Sequence, residues 1–208
     1  MKTTVCFLFA LLLFASLQAL AAEKTKEEQT HFSVTVPGGW FSYSGKDTQY
    51  VPDSVKKAFD GTDYEQPELY MIGWRESQGE FLGAFAITYV HKGTGNFLKQ
   101  VLEGDPAQKE KAAVSFSDLE ALRIRKAYVN DRKQKVVESS VDFLESGDMF
   151  VAVSDAIIDA GKVKRTRSAT YFFRGDSMIG VITLRNEKAP EKIVKDLDNL
   201  PMAVIWND

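Results

Sequence analysis

The most regular alternation of apolar and polar positions in this chain lies between residues 136 and 185. Four runs rich in strand-forming residues follow one another there, separated by pairs of turn-forming residues. These pairs are Ser146-Gly147, Ala160-Gly161 and Gly175-Asp176. The spacing predicts an antiparallel meander of four strands. If every turn has two residues, Phe143 lies opposite Phe150 and Phe150 lies opposite Tyr171. Tyr171 then lies opposite Gly180, and all four share one face of the sheet.

The N-terminal half of the chain contains three more strand patterns. Apolar and polar side chains alternate through residues 32–36 with the period of a half-buried strand, which the turn-forming residues 37–39 end. Residues 69–75 and 81–91 predict a strand pair around the turn at residues 77–79. Apolar residues occur on both faces of the second strand, which indicates a central strand that is covered on both sides.

Four positions carry signals for the start of a helix. Asp53, Asn96 and Asp105 suit the N-cap position, and Pro190 suits the first turn. Gln108 lies three residues after Asp105, so a capping box is expected there. The segment after Pro190 carries an apolar stripe, formed by Ile193, Val194, Leu197 and Leu200.

Residues 119–129 fit both a helical and a strand period, although Leu122, Ile124 and Tyr128 favour a strand face. Because the meander is apolar on both faces, we expect other elements to cover each face. The predicted helices are the elements available to do so. The expected fold class is therefore α+β. It consists of a single antiparallel sheet, a four-strand C-terminal meander plus N-terminal strands, covered by helices on both faces.

The first residues have the pattern of an export signal. Lys2 provides a positive start, residues 5–17 are apolar, and Ala19-Leu20-Ala21 resembles a signal-peptidase site. We expect a signal peptide over residues 1–21, a flexible charged N-terminus over residues 22–30 and a single globular domain over residues 31–208. A membrane anchor is the alternative, but the apolar run is short for a span.

The amino-acid composition limits the kinds of chemical site that we expect in this chain. Cys6 is the single cysteine and lies in the predicted signal peptide, so no disulfide, thiolate nucleophile or lipid-modified cysteine is expected in the mature chain. The net charge of −3 disfavours a general nucleic-acid binder. With 44% hydrophobic and 26% charged residues, the chain resembles an ordinary globular protein. No membrane span is expected after signal cleavage, and the oligomeric state stays open.

The sequence lacks the common catalytic motifs, since it contains no G-x-S-x-G, H-E-x-x-H, Walker or G-x-G-x-x-G pattern. His31 and His91 stand at predicted strand ends, where an exposed histidine is the simplest interpretation. A metal site would require them to converge with a carboxylate such as Asp155 or Asp159. We therefore predict no catalytic residue, no metal site and no cofactor.

Arg165 and Arg167 are the candidate binding residues. Strand alternation puts both on the face of the meander that carries Phe150 and Tyr171. Two guanidinium groups beside an apolar surface would suit a carboxylate or a phosphate. The alternative is an ordinary charged strand edge that pairs with nearby acids.

The opening residues Phe32-x-Val34-x-Val36-Pro37-x-Gly39-Trp40, the long meander and the closing amphipathic helix together resemble the PsbP-like superfamily. This group includes PsbP, DcrB-like envelope proteins and the Mog-type fold. The resemblance covers about residues 31–206 and implies an antiparallel sheet between helical layers. It also implies a non-catalytic role in binding, assembly or stabilisation.

Three functional hypotheses follow. The leading one is an exported, non-catalytic binding, assembly or stabilising protein of the bacterial cell envelope, which works by contact with an envelope protein partner. The alternative is a periplasmic small-molecule carrier with a cavity between sheet and helix. The third is an enzyme with a dispersed site, which the missing motifs disfavour.

Overall fold

The computed structural model describes residues 25–28, 31–56, 59, 68–90, 93–130, 133–146 and 149–207. The predicted signal peptide over residues 1–21 lies outside these residues. The strands are β1 (Thr25–Glu28), β2 (Phe32–Val36), β3 (Phe41–Ser44), β4 (Glu68–Ser77), β5 (Glu80–Val90), β6 (Lys135–Ser146), β7 (Met149–Asp159), β8 (Lys164–Arg174), β9 (Ser177–Asn186) and β10 (Val204–Trp206). The helices are α1 (Asp53–Lys56), α2 (Gly95–Leu102), α3 (Pro106–Ile124) and α4 (Glu191–Asn199). Three short helical turns are Gly45–Tyr50, the π-helical Arg125–Asn130 and Pro201–Ala203.

The strands of the described residues form two antiparallel sheets. The large sheet has seven strands in the order β3-β4-β5-β9-β8-β7-β6, and the small sheet has three in the order β1-β2-β10. The four-strand meander is confirmed as β6 to β9, since each of these strands pairs with its successor. Strand β9 then pairs with β5, which joins the meander to the N-terminal strands and places β5 in the interior of the sheet.

Each face of the large sheet has its own apolar core. On one face, helices α2 and α3 cover Phe150, Tyr171 and Ile182. On the other face, helix α4 and the small sheet cover Ile87 and Val181. Strand side chains alternate between faces, so a strand such as β5 must be apolar at nearly every position to serve both cores.

The expectation of one sheet is wrong in its N-terminal part. Strand β2 pairs with β1 and β10, and not with the large sheet. Its residues Phe32 and Val34 instead pack against the second face of that sheet, where burial of their apolar surface is greater than at an edge. Helix α4 therefore shares this face with a small sheet, and Thr25–Glu28 is a strand although the surrounding segment was expected to be flexible.

The register of the meander is partly as expected. Tyr171 lies opposite Gly180, as predicted from the two-residue turn at Gly175-Asp176. Phe143 lies opposite Ala152 and Phe150 lies opposite Phe173, and each pairing differs by two residues from the expected one. An even shift leaves every side chain on its predicted face.

Residues 119–129 are helical, which corrects the preference for a strand. Helix α3 continues to Ile124, and the π-helical turn extends it to Asn130. Phe116, Glu120 and Ile124 recur every four residues and are buried, whereas Leu122 is 61% exposed. The buried stripe of this helix therefore contains an acidic residue, Glu120. For that reason the sequence pattern alone does not show that the stripe faces the core.

Two helix starts differ in how they are capped. Asp105 accepts a hydrogen bond from the backbone N–H of Gln108 at 2.9 Å, and the Gln108 side chain accepts one from Asp105 N at 3.0 Å, as predicted. Helix α2 starts at Gly95, with Thr94 and not Asn96 at its N-cap. There Asp176 Oδ1 accepts from Gly95 N at 2.7 Å, so the β8–β9 turn holds this helix start in place.

Candidate functional site

Arg167, one of the two predicted binding residues, lies in the protein interior. It points from β8 toward helix α3 and is 2% exposed. Its Nη2 donates hydrogen bonds to Glu120 Oε1 at 2.7 Å and to the Tyr171 hydroxyl oxygen at 3.3 Å. This guanidinium is therefore committed to an internal carboxylate and does not face a partner in solvent.

Glu120 is the centre of this buried group. Its side chain is 0% exposed, and its two carboxylate oxygens also accept from the Tyr171 hydroxyl at 3.0 Å. Arg123 Nη1 donates to Oε2 at 3.1 Å. We call Glu120, Arg123, Arg167 and Tyr171 the buried charge cluster. A carboxylate in an apolar core is tolerated because charged and polar donors surround it.

The electrostatics of the cluster keep Glu120 ionised. Burial raises the pKa of this carboxyl, but the positive charges of Arg167 and Arg123 and the hydrogen bond from Tyr171 outweigh burial and lower the pKa below its usual value of 4.5. The oxygens of Tyr171 and Glu120 likewise raise the pKa of Arg167 against the opposing effect of burial. The cluster is thus a fixed ion pair at neutral pH.

Arg165 lies two residues before Arg167 on β8, and its side chain has different neighbours. Its guanidinium carbon is 5.4 Å from the centre of the Phe81 ring, and its cross-strand neighbour is Asn186. The structure therefore does not bring Arg165 and Arg167 together as a surface fork. The sequence feature that indicates the buried position of Arg167 is Glu120, an acidic residue within the apolar stripe of helix α3.

A cleft lies where helix α3 passes into its π-helical turn, beside the start of β6. It encloses about 650 Å³. We call it the α3–β6 cleft. Its lining residues are Ala121, Ile124, Arg125, Val129, Gln134, Lys135, Val136 and Ser139. π-Helical turns occur often at functional sites, so the coincidence of this turn with the cleft singles out the region.

The outer edge of β6 is the second candidate region. This strand has 12 residues, and among the described residues it pairs only with β7. One extra residue, Val137, bulges out between the pairs Val136–Ile158 and Glu138–Ile157. We call this unpaired side of Lys135–Ser146 the β6 edge. At the other end of the sheet, edge strand β3 has only four residues.

Apolar surface accompanies the β6 edge on the second face of the large sheet. The core beneath α4 extends as far as Phe172 of β8. Leu144 of β6 lies on the same face but beyond that core, and it is 60% exposed. A long strand edge with an exposed apolar side chain beside it offers a surface to which a further strand can add.

The remaining predicted residues form no constellation. His31 is exposed at the start of β2, and its ring stacks on Tyr89 at 5.4 Å. His91 lies outside the described residues. Asp159 accepts a hydrogen bond from Gly161 N at 2.8 Å within its turn. In the part of the chain that the structure describes, no three histidine, cysteine, aspartate or glutamate side chains gather as a metal site would require.

Membrane insertion by a helix finds no support in the described residues. None of the helices there combines the length and the apolar character that a bilayer span demands.

Comparison with known proteins identifies the fold. No family model and no curated protein matches the chain. The solution structure of cyanobacterial PsbP (CyanoP) from Synechocystis sp. PCC 6803 is similar, with a TM-score of 0.53 and 10% identity over 89% of this chain and 94% of that chain. A crystal structure from Bacteroides thetaiotaomicron VPI-5482 gives a TM-score of 0.48 and 11% identity over 90% and 49%. The chain therefore has a PsbP-like fold.

Proposed function

We propose that this chain is an exported, non-catalytic accessory protein of the bacterial cell envelope that binds a partner protein through the β6 edge. The PsbP-like fold and the signal-peptide pattern support this assignment. The observation that carries it is the β6 edge itself, a long strand with unpaired backbone groups and an exposed apolar neighbour, Leu144.

Backbone chemistry defines what the edge accepts. Each outward N–H and C=O of an edge strand is a hydrogen-bonding group that a further extended segment can satisfy. Such strand addition provides affinity through main-chain bonds and selectivity through alternate side chains. The partner is therefore a protein with an extended segment that offers apolar contact to Leu144.

Charge along the edge defines the partner further. Glu138 and Asp142 are exposed on the same face of β6. Antiparallel pairing of two β6 strands centred on residue 140 would place Glu138 opposite Asp142, which like-charge repulsion disfavours. A second copy of the chain is thus a poor occupant, and a partner segment with lysine or arginine side chains is a good one.

The geometry of the buried charge cluster gives little support to an enzymatic function. The one carboxylate that approaches a hydroxyl in the buried charge cluster, Glu120 with Tyr171, is sealed in the core, where no substrate reaches it. General acid–base catalysis requires a group within hydrogen-bond distance of its substrate.

Site-specific photo-crosslinking in the producing cell tests the proposal. A crosslinking amino acid in place of Ser140, an exposed residue of β6, should give one discrete adduct with an envelope protein. Reversal of the edge charge with Glu138→Lys and Asp142→Lys should remove most of that adduct. The matched control is Glu103→Lys with Glu110→Lys, which makes the same charge change at two exposed positions, the residue after α2 and a residue of α3.

Two results would overturn the assignment of the β6 edge. One is an equally strong adduct from a crosslinker at Lys111 on the exposed side of α3. The other is an adduct that persists in the edge-reversed variant but disappears in the control variant.

Export is tested separately, because it does not depend on the partner. N-terminal sequencing of protein from the cell envelope should begin at Ala22 or within one residue of it. Material that retains Met1 and stays in the membrane would overturn the export proposal and favour an anchor.

A further inference from the structure

The α3–β6 cleft has the size and lining of a ligand site. Its volume of about 650 Å³ lies within the usual range for small-molecule pockets, about 300 to 1,000 Å³. Ile124 is already buried in the core behind its wall, and Ala121, Val129 and Val136 provide the accessible apolar surface. The space lies between a helix and the sheet, where the carrier hypothesis requires one. An apolar chain would replace water against this wall.

The charged residues in the described lining of the cleft are both cationic. Arg125 and Lys135 line it from opposite elements, the π-helical turn and β6, and both are exposed. Among the lining residues that the structure describes, none carries a carboxylate. Asp159 lies across from Lys135 on β7, and its Oδ1 accepts a hydrogen bond from Gly161 N within its own turn. The described lining of the cleft is therefore cationic, with Asp159 as an acidic neighbour of Lys135 outside that lining.

Helix electrostatics favour both of these cations. Cations near the C-terminal end of a helix are stabilised by its dipole, which accounts for Arg125 after α3. Lys135 follows Gln134, whose N–H donates to Tyr128 O at 2.8 Å, so the same helix end also favours a cation there. The inner wall also carries Gln134, whose buried Oε1 atom has no hydrogen-bond partner. A side-chain amide can turn either its oxygen or its N–H₂ toward a ligand.

From this combination we propose that the α3–β6 cleft binds an amphiphilic anion. The apolar tail lies against Val129 and Val136, and the head, a carboxylate or a phosphate, is bound by Arg125 and Lys135. Arginine suits both heads because its planar donors match two oxygens at once. Ser139 adds a hydroxyl donor on the β6 side. This site shares the start of strand β6 with the β6 edge, and it adds a small ligand to the proposed protein partner.

Calorimetric titration of the purified protein with dodecanoate, dodecyl phosphate, dodecanol and inorganic phosphate tests the proposal. The two dodecyl anions should bind with one-to-one stoichiometry below their micellar concentrations. Dodecanol, which lacks the charge, and inorganic phosphate, which lacks the tail, should bind at least about tenfold more weakly. The preferred head is decided by which dodecyl anion binds more tightly.

Variants connect the binding to the cleft. Arg125→Ala with Lys135→Ala should weaken both anions at least about tenfold, because the head loses both ionic contacts. Ala121→Trp should weaken them without any change of charge, because the indole fills the space. The control is Lys111→Ala with Lys192→Ala, two exposed lysines on α3 and α4 that lie outside the cleft.

Specific outcomes would overturn the proposal. They are the absence of saturable binding, equal binding of dodecanol, and equal loss of affinity in the control variant. Binding only to vesicles of phosphatidylglycerol, with none to the monomeric anions, would also overturn it and would assign the cations to a membrane surface.

Discussion

Glu120 is the residue on which the interior of this protein depends most. It is an ionised carboxylate inside an apolar core, and its charge is balanced by Arg167 from a strand 47 positions later. Neither charge could remain buried without the other, because desolvation of a single ion costs several kcal/mol. The pair therefore fixes helix α3 on the sheet in one orientation.

Removal of this carboxylate charge should be severely destabilising. Glu120→Gln leaves Arg167 charged and buried without its ionic partner, so the free energy of unfolding should fall by about 3 to 5 kcal/mol in urea titrations. Tyr171→Phe removes one hydroxyl and keeps the ion pair, so it should cost only about 1 kcal/mol. Equal losses in the two variants would contradict a decisive role of the ion pair.

The pH dependence of stability follows from the same group. The pKa of Glu120 is lower in the folded state than its usual value of 4.5, so the ionised carboxylate stabilises the fold above that value. This contribution should be lost as the pH falls below 4.5 and through the folded-state pKa. Urea midpoints at a series of pH values should therefore decrease less steeply in Glu120→Gln than in the unsubstituted protein.

The candidate site could be predicted from the sequence only in part. Alternation correctly placed Arg167 on the face of Phe150 and Tyr171, but it gives no distance from solvent. The partner of Arg167 lies on another element, and pairing between elements is a property of the folded chain. The acid at position 120 was informative only once residues 119–129 were known to be helical.

Among the secondary-structure elements, helix α4 packs on the large sheet through a single apolar stripe. Ile193, Leu197 and Leu200 are buried against the second face of the large sheet. Gly83 of β5 makes room for this contact, since a Cβ atom there would lie 3.0 Å from Leu197 Cδ1. The helix was predictable because its start signal, its stripe and Pro201 after it all agree.

Truncation of that stripe should therefore be costly. Leu197→Ala should lower the free energy of unfolding by about 2 to 5 kcal/mol, because it leaves a cavity beside Gly83. Thermal or urea unfolding measures the change, with Lys192→Ala on the exposed side of the same helix as the control. A chain that ends at Lys188 and unfolds at the unchanged midpoint would refute this packing.

Features that depend on contacts between distant segments could not be assigned from the sequence. Residues 32–36 have a clear strand period, but period alone does not specify which sheet a strand joins. The π-helical turn likewise has no sequence signature, because its i to i+5 bonds depend on the packing around it. Local patterns therefore predicted the meander, the capping box and helix α4, whereas tertiary contacts decided the sheet of β2 and the π-helical turn.

The whole molecule is a large sheet with two unlike layers. Helices α2 and α3 cover one face, and α4 with the small sheet covers part of the other. Strand β6 forms one edge of the large sheet. Both proposed binding regions involve this strand: the β6 edge itself, and the cleft between the start of β6 and the end of α3.

The small sheet contains both ends of the described chain, on opposite sides of β2. Strand β10 pairs with β2, and Asn207 N donates a hydrogen bond to His31 O at 2.9 Å. A linker of about eight glycine and serine residues would reach from Asn207 to Thr25. A circular permutant with that linker and with new ends at Gly161 and Lys162, in an exposed turn, should fold to the same circular-dichroism spectrum. A permutant that stays unfolded would mean that folding requires β1 and β2 to emerge first. If it folds, the order of segments along the chain is free to change, and a reporter protein could be inserted at the β7–β8 turn.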